Sequence, residues 1–130
     1  MLSWFRIRVQ RRRIRVRVSL QGATKEYLAY KKTARDVARQ KVEHWASFYG
    51  FTYSSVSIRN QKTRWGSCSK RGTLSFHYKI ARLPDHLADY LVVHEVCHLK
   101  EMNHSKKFWD LVAQGIPDYK ECRKQLRKGI

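Results

Sequence analysis

The stretch HEVCHLKEMNH, residues 94–104, contains three histidines and two glutamates. It continues an apolar segment that begins after Pro84 and whose apolar residues recur at helical spacing. On such a helix His94 and His98 project from the same face, because residues four apart are neighbours on a helix surface. Glu95 lies about 100° further around the helix, beside the two imidazoles. The pattern predicts a metal site in which Glu95 is the general base for a metal-bound water.

A third protein ligand is needed, because catalytic zinc sites usually have three and keep a fourth position open. His104 follows His98 by six residues, just after the expected helix end near Asn103, so a turn there can bring its ring back to the metal. Glu101 is the rival candidate, although we expect it to lie still on the helix. We prefer His104, and we expect Zn2+ as the cofactor because zinc suits neutral imidazole ligands.

The cysteine content indicates the compartment. Cys68, Cys97 and Cys122 are too few, and odd in number, for a disulfide framework, which favours a reducing environment and a cytoplasmic protein. Cys68 and Cys97 are expected to pack in the interior rather than to bind the metal. No apolar run approaches the ~18–20 residues that a membrane span needs.

The chain is short and strongly basic. Its 130 residues suit a single domain, residues 1–130, and 42% hydrophobic residues are enough for a folded core. Lys and Arg outnumber Asp and Glu by 28 to 10, which gives a formal charge of +18. Such a field predicts phosphate-bearing partners such as nucleic acid, nucleotides or an anionic surface. The alternative is a basic surface without a partner.

The N-terminal segment, residues 1–20, alternates apolar and arginine residues. Ile14, Val16 and Val18 alternate with Arg15 and Arg17, a period of two that predicts arginine-rich β strands. The arginine face can contact phosphates, or it can be a solvated edge that discourages aggregation.

The remaining segments predict an α+β order of helix, strands and helices. Thr33 is a candidate cap for a helix whose stripe includes Ala34, Ala38 and Phe48 and which Gly50 ends. A strand in SVSIRN, residues 55–60, precedes a hairpin in which TRWGSCS and TLSFHYKI flank the turn KRG. Helices are predicted after Pro84, after Ser105 and from Pro117.

Four segments together resemble one family. They are QKTRWGSCSKRGTLSF, DYLVVHEVCHL, NHSKKFW and PDYKECRKQL, and they resemble the YgjP-like zinc metallopeptidases, which are related to the SprT-like and WLM peptidases. The similarity covers about residues 28–130.

The resemblance implies a compact zincin-like domain with a small, mainly antiparallel sheet packed on an active-site helix and with C-terminal helices. It also implies zinc held by His94, His98 and His104, with Glu95 as the catalytic base. The similarity of NHSKKFW to the third-ligand segment of the family supports His104 over Glu101.

The segment TRWGSCS, residues 63–69, is the other signature of that family. Arg64 can stabilise a developing oxyanion or bind a substrate phosphate. Trp65 and Gly66 can allow the strand to approach the metal helix closely. A purely structural strand is the equal alternative.

Three functions fit these patterns. The preferred one is a zinc-dependent peptidase acting on a protein or peptide, and by analogy with SprT-like enzymes, which act on proteins attached to DNA, it can be recruited to nucleic acid. The second is a metal-dependent phosphohydrolase acting on nucleotides. The third is a nucleic-acid-binding module with structural zinc, which three obvious ligands and an intact Glu95 disfavour. The oligomeric state is not predicted.

Overall fold

A computed structural model describes the backbone of residues 17–128 and the side chains of residues 25–128. In chain order the elements are α1 (Arg17–Tyr49), β1 (Ser55–Arg59), β2 (Gly66–Cys68), β3 (Thr73–His77), a 3-10 helix (Tyr78–Arg82), α2 (Asp85–Cys97), α3 (Lys106–Gly115) and α4 (Tyr119–Arg127). The α+β class is confirmed. The predicted arginine-rich strands fall mostly on residues 1–16, outside the described residues, and the single-domain assignment stays a prediction.

Helix α1 starts sixteen residues before the predicted cap at Thr33. Residues 17–20, predicted to end the second strand, are helical instead. Residues 25–33 contain several good helix formers, and Tyr27 and Tyr30 continue the helical spacing of the core stripe. Nothing in this stretch therefore stops the helix from extending toward its N-terminus.

The buried stripe of α1 is built mainly from alanine. Ala34, Ala38, Val42 and Ala46 recur every four residues and are almost fully buried. Small side chains let the helix lie close to the elements beneath it. Phe48, which we predicted in this stripe, is instead 55% exposed and contacts Trp45 and Tyr49 edge-on. As predicted, the helix ends before Gly50, whose φ is 71°.

The sheet has three strands in the order β1-β3-β2. The predicted hairpin is present, because β2 and β3 pair antiparallel with Ser67 opposite Ser75. β1 pairs parallel with β3, with Val56 opposite Leu74, so the sheet is mixed rather than mainly antiparallel. In the chain β2 comes between β1 and β3, but in the sheet it lies on the far side of β3 and antiparallel to it. β3 therefore runs in the same direction as β1.

β3 is shorter than predicted and ends at His77. The Nδ1 atom of His77 accepts a hydrogen bond of 3.0 Å from the backbone N–H of Lys79, and this bond caps the 3-10 helix. Tyr78 and Ile80, predicted on the apolar face of a longer strand, are still buried.

Helix α2 is the central element, and its last turn begins the stretch HEVCHLKEMNH. It packs against α1, β2, α3 and α4, and all its residues from Leu87 to Cys97 are buried except Asp89. A helix buried on all sides is expected to be apolar all round, so its charged residues need a specific reason. Asp89 has one, because it accepts hydrogen bonds from the side chains of Lys41 and Trp45 on α1.

Candidate metal centre

Three imidazoles converge where α2 ends. The Nε2 atom of His98 lies 3.3 Å from Nε2 of His94 and 3.0 Å from Nε2 of His104. The potential ligand atoms of the three residues all lie within 4.8 Å of one another. For comparison, two nitrogen ligands of a tetrahedral zinc ion stand about 3.3 Å apart, given Zn–N distances of about 2.0–2.1 Å.

The turn after α2 explains how His104 reaches the cluster. The helix ends at Cys97, and the backbone N–H groups of residues 98–100 bond to carbonyls three residues earlier, which tightens the last turn. The chain then passes through residues 101–105 and enters α3 at Lys106, so that it turns back over α2. Glu101, which we expected to lie still on the helix, lies past its end instead.

The tautomer of His98 is set by the same turn. Its Nδ1 atom lies 3.0 Å from the backbone carbonyl oxygen of Glu101, and because a carbonyl only accepts, Nδ1 must donate. Nε2 of His98 therefore carries the free lone pair, which faces His94 and His104. Metal-binding histidines in proteins are generally oriented by such a second hydrogen bond.

The histidine cluster favours neutral imidazoles. Burial, followed by the proximity of His98 and His104, holds the pKa of His94 well below its ordinary value. Burial also lowers the pKa of His98, and burial with the neighbouring His98 lowers the pKa of His104 to about 4. Neutral imidazole is the form that binds a metal ion.

Glu95 is fully buried beside the cluster. Its Oε1 atom lies 3.8 Å from Nε2 of His94, and neither carboxylate oxygen has a hydrogen-bond partner among the described residues. Burial raises its pKa well above the ordinary value, while the positive charge of Arg64 opposes that shift. A carboxyl group placed in this way needs a polar ligand in the space that it shares with the histidines.

Gly66 allows β2 to lie against Glu95, one of the two alternatives that the sequence left open for this segment. A Cβ atom at Gly66 would stand 3.1 Å from Cγ of Glu95 and 3.1 Å from the carbonyl oxygen of Ser75. The second of these neighbours is backbone in the central strand β3 and cannot rotate away. Gly66 thus fixes the distance between β2 and the carboxylate-bearing side of α2.

Arg64, the predicted substrate-binding residue, precedes β2. It is partly exposed, and its positive charge opposes the rise in the pKa of Glu95 that burial causes. Arg64 and Glu95 therefore interact electrostatically.

Aromatic side chains of α3 hold the three imidazole rings. Phe108 is fully buried and stacks on His98, with ring centroids 4.5 Å apart and planes inclined by 20°. Its ring edge also meets His94 and His104, at centroid distances of 5.0 and 5.1 Å. One phenyl ring thus contacts all three imidazoles and limits how they can rotate.

Trp109 lies beside Phe108 and also contacts His104. Its ring stacks on His104 with centroids 6.1 Å apart, and on Tyr119 of α4 with centroids 5.1 Å apart. The guanidinium of Arg123 lies 5.1 Å from the Trp109 ring centroid, a cation–π contact. The third imidazole is therefore held by a stack that extends into α4.

The sequence alone predicted no role for Phe108, Trp109 or Arg123. The available signal was the aromatic pair that follows the third histidine in NHSKKFW, together with the helical spacing of Tyr119 and Arg123. Neither shows which rings meet until α3 and α4 are packed on α2.

The chain matches one protein family over nearly its whole length. The family model described as YgjP-like, metallopeptidase domain, matches residues 7–129. The chain belongs to the YgjP-like metallopeptidase family. The match begins further toward the N-terminus than the sequence motifs indicated and includes most of the arginine-rich segment.

A solved structure agrees with membership of the YgjP-like family. The chain is similar to the crystal structure of the metallopeptidase zymogen of Pyrococcus abyssi abylysin, with 26% identity and a TM-score of 0.66. The similarity covers 72% of this chain and 94% of the other. Among curated proteins, no significant match is found. Family and neighbour together indicate a metal-dependent peptidase, and a metallopeptidase implies a bound metal ion.

The cysteines and the helices of this YgjP-like chain were also subjects of prediction. Cys68 and Cys97 are fully buried core residues outside the histidine cluster, as predicted. Burial raises the pKa of each of these two thiols to about 12, so they favour the protonated form. Within residues 17–128, the helices include none that is long and apolar enough to cross a membrane.

Proposed function

We propose that this YgjP-like protein is a zinc-dependent peptidase of the HExxH type. In this proposal His94, His98 and His104 hold the ion, and Glu95 is the catalytic base. One observation carries the proposal, namely the convergence of three imidazole Nε2 atoms beside a buried carboxylate. The protein or peptide substrate follows from the family.

The residues present fit zinc well. All three donors are imidazoles whose lowered pKa values favour the neutral, metal-binding form. The hydrogen bond from Nδ1 of His98 to Glu101 directs the Nε2 lone pair of His98 into the cluster. Three protein ligands with space for a fourth group are typical of catalytic zinc, whereas structural zinc usually has four protein ligands. This distinction disfavours a purely structural metal.

Glu95 is suited to move a proton at this site. Zinc, when bound, would supply Lewis acidity and lower the pKa of a coordinated water to about 7. The Glu95 carboxylate can accept the proton of the attacking water and later deliver it to the leaving amine. Its burial makes it a stronger base than an exposed glutamate, while the charge of Arg64 favours the ionised form.

Arg64 is proposed as a substrate-binding residue. It is partly exposed, and its charge acts on the Glu95 carboxyl. A cation there can stabilise negative charge that develops on the substrate carbonyl oxygen.

Peptide hydrolysis is favoured over nucleotide hydrolysis. Family membership and the abylysin neighbour both point to peptidases, and the metal centre itself is compatible with either reaction. The direct test is metal analysis of the purified protein together with assays on unstructured protein, on peptides and on nucleoside triphosphates. Cleavage of nucleotides alone would contradict the proposal.

A cytoplasmic location is also proposed. Cys68, Cys97 and Cys122 are all free thiols, as expected of a protein in a reducing compartment.

Gly66→Ala is expected to lower hydrolysis by about tenfold or more with little loss of zinc, since small displacements of a catalytic group are costly. The new methyl group would press on Glu95 and on the backbone of Ser75, so the carboxylate must shift. Initial rates per zinc-loaded molecule measure the effect.

Gly115→Ala is the matched control for Gly66→Ala. Its Cβ atom would stand 2.7 Å from the Tyr49 hydroxyl oxygen and 2.9 Å from the Trp45 ring, so it overpacks the protein where α1 meets the end of α3. It should lower the free energy of unfolding by about 1–3 kcal/mol and leave the rate per folded molecule unchanged. Equal rates in wild type and Gly66→Ala would show that the approach of β2 does not position Glu95.

Trp109→Ala is expected to weaken zinc binding by about 10–100-fold, the effect typical of residues that orient a metal ligand. His104 would lose the ring that stacks on it, and the cation–π contact of Arg123 would be lost as well. Trp109→Phe keeps an aromatic ring and should restore most of the affinity. Competition with a chelator gives the affinity, and far-UV circular dichroism confirms folding. Unchanged affinity in Trp109→Ala would show that the stack does not orient His104.

A further inference from the structure

A cationic groove lies between α1 and the edge strand β1. It encloses about 530 Å³ and carries the side chains of Lys31, Arg35 and Arg39 on the helix wall and of Arg59 on the strand wall. The remaining lining residues are uncharged, namely Tyr27, Val56, Ser57, Ile58 and Asn60. The floor is fixed, because Ile58 is buried and the Tyr27 hydroxyl donates to its carbonyl oxygen.

The four cations of the groove lack carboxylate partners among the described residues. Two of the acidic side chains that could approach α1 are paired with other cations, since Asp89 binds Lys41 and Glu26 binds Arg82. The nearest acidic side chains on α1 line an adjacent groove, in which Asp36 and Glu43 lie with Arg39. Four positive charges thus share a recess in which the side chains of residues 25–128 place no acidic group.

We propose that the cationic groove binds the sugar-phosphate backbone of a single-stranded nucleic acid. The helix-wall cations follow one another at intervals of four residues, so they form a ridge about 12 Å long. A single phosphate would meet only part of that ridge, whereas a strand with one phosphate per nucleotide can meet all of it. Arg59 provides a charge on the opposite wall, and Asn60 provides an exposed amide for sugar or base atoms.

The shape of the groove favours a single strand over a duplex or a membrane. Its volume lies within the range of about 300–1,000 Å³ that accommodates a drug-sized group, and a nucleotide is of that size. A duplex is too wide to enter such a recess. A membrane surface is bound by protruding apolar side chains, and the aliphatic residues of this groove, Val56 and Ile58, are partly or fully buried.

The groove is separate from the metal centre. β1 and β2 lie on opposite edges of the sheet with β3 between them, about 10 Å apart, and Gly66 of β2 lies against Glu95. A strand bound beside β1 therefore leaves the histidine cluster accessible. The inference does not rest on the proposed peptidase activity, and its test can fail while that activity stands.

The test compares binding of a fluorescent oligothymidine of about 15 nucleotides across a range of salt concentrations. The groove variant carries Lys31→Gln, Arg35→Gln, Arg39→Gln and Arg59→Gln. The charge-matched control carries Lys70→Gln, Arg71→Gln, Lys120→Gln and Lys128→Gln, all at exposed positions away from the groove. The arginines of residues 1–20 are present in all three proteins, so their contribution cancels.

We expect the log–log salt slope of the groove variant to be shallower than that of wild type by about 2.8, from four contacts at about 0.7 each. The control should change it far less, and both variants should keep the zinc content and hydrolysis of wild type. The double variant Arg35→Gln, Arg59→Gln removes one cation from each wall and should give about half the change. It serves the same purpose if the fourfold variant does not fold.

Three results would overturn the inference. Equal slopes for the groove variant and its control would mean that binding depends on total charge alone. Competition by inorganic phosphate or thymidine monophosphate as strong, per phosphate, as by the oligonucleotide would indicate a small-anion site. Groove-dependent binding to phosphatidylserine vesicles, with none to the oligonucleotide, would indicate a membrane surface.

Discussion

Glu95→Gln is expected to lower peptide hydrolysis by about 10²–10⁴-fold, the usual contribution of a positioned general base. Glutamine keeps the size of the side chain and its place against Gly66 of β2, but its amide cannot accept the proton of the attacking water. Zinc content should stay near that of wild type, because the proposed ligands are three histidines and Glu95 is not among them. Initial rates on a substrate that wild type cleaves, with metal analysis of the same preparation, measure both quantities.

Glu101→Gln is the matched control for Glu95→Gln. The same chemical change is made six residues away, at a side chain outside the histidine cluster. Its backbone carbonyl still accepts from His98, so hydrolysis and zinc content should both be preserved. A wild-type rate in Glu95→Gln would remove Glu95 as the base. Loss of zinc in that variant would instead show that Glu95 supports the metal directly.

The fold around α2 could be predicted because its signals are local. Pro84 before an apolar segment, and histidines four residues apart on it, fix the start of the helix and the direction of two imidazoles. The end of the helix could not be placed in the same way. The turn at residues 98–100 depends on backbone hydrogen bonds, and no glycine or proline marks it in the sequence.

The pairing of β1 with β3 was beyond sequence reasoning for a different reason. Alternation of apolar residues shows which side of a strand is buried, but it does not show which strand lies next to it. The short turn with Gly72 correctly predicted the β2–β3 hairpin, because neighbours in the chain usually pair. The parallel β1–β3 pair depends on how the chain crosses the sheet between them.

The packing around the His104 ring could not be predicted from the sequence either. The rings of Phe108 and Trp109 on α3 contact His104, and Arg123 on α4 contacts Trp109. These contacts depend on how α3 and α4 pack together. The same packing supports His104, because Phe108 and Trp109 both contact its ring. The motif favoured His104 without excluding Glu101, and the zinc affinities of variants at the two positions can distinguish them.

His104→Ala is expected to weaken zinc binding by more than about 100-fold, since the loss of an orienting residue alone costs about 10–100-fold. This substitution is the cleanest of the three at the cluster, because His104 is partly exposed and its removal leaves no enclosed cavity. His94→Ala and His98→Ala should lose zinc as well, but each also empties a fully buried position. Chelator competition, followed by metal analysis after dialysis, gives the affinity.

His44→Ala and Glu101→Ala complete the set for His104→Ala. His44 is an exposed histidine of α1 outside the cluster, so its removal controls for the loss of an imidazole and should leave zinc affinity unchanged. Glu101→Ala should also keep zinc, because Glu101 bonds to His98 through its backbone carbonyl and its side chain is not in the histidine cluster. If His104→Ala retains zinc and Glu101→Ala loses it, the third ligand is Glu101. The turn after α2 would then have to move its carboxylate into the place that the His104 ring occupies beside Phe108 and Trp109.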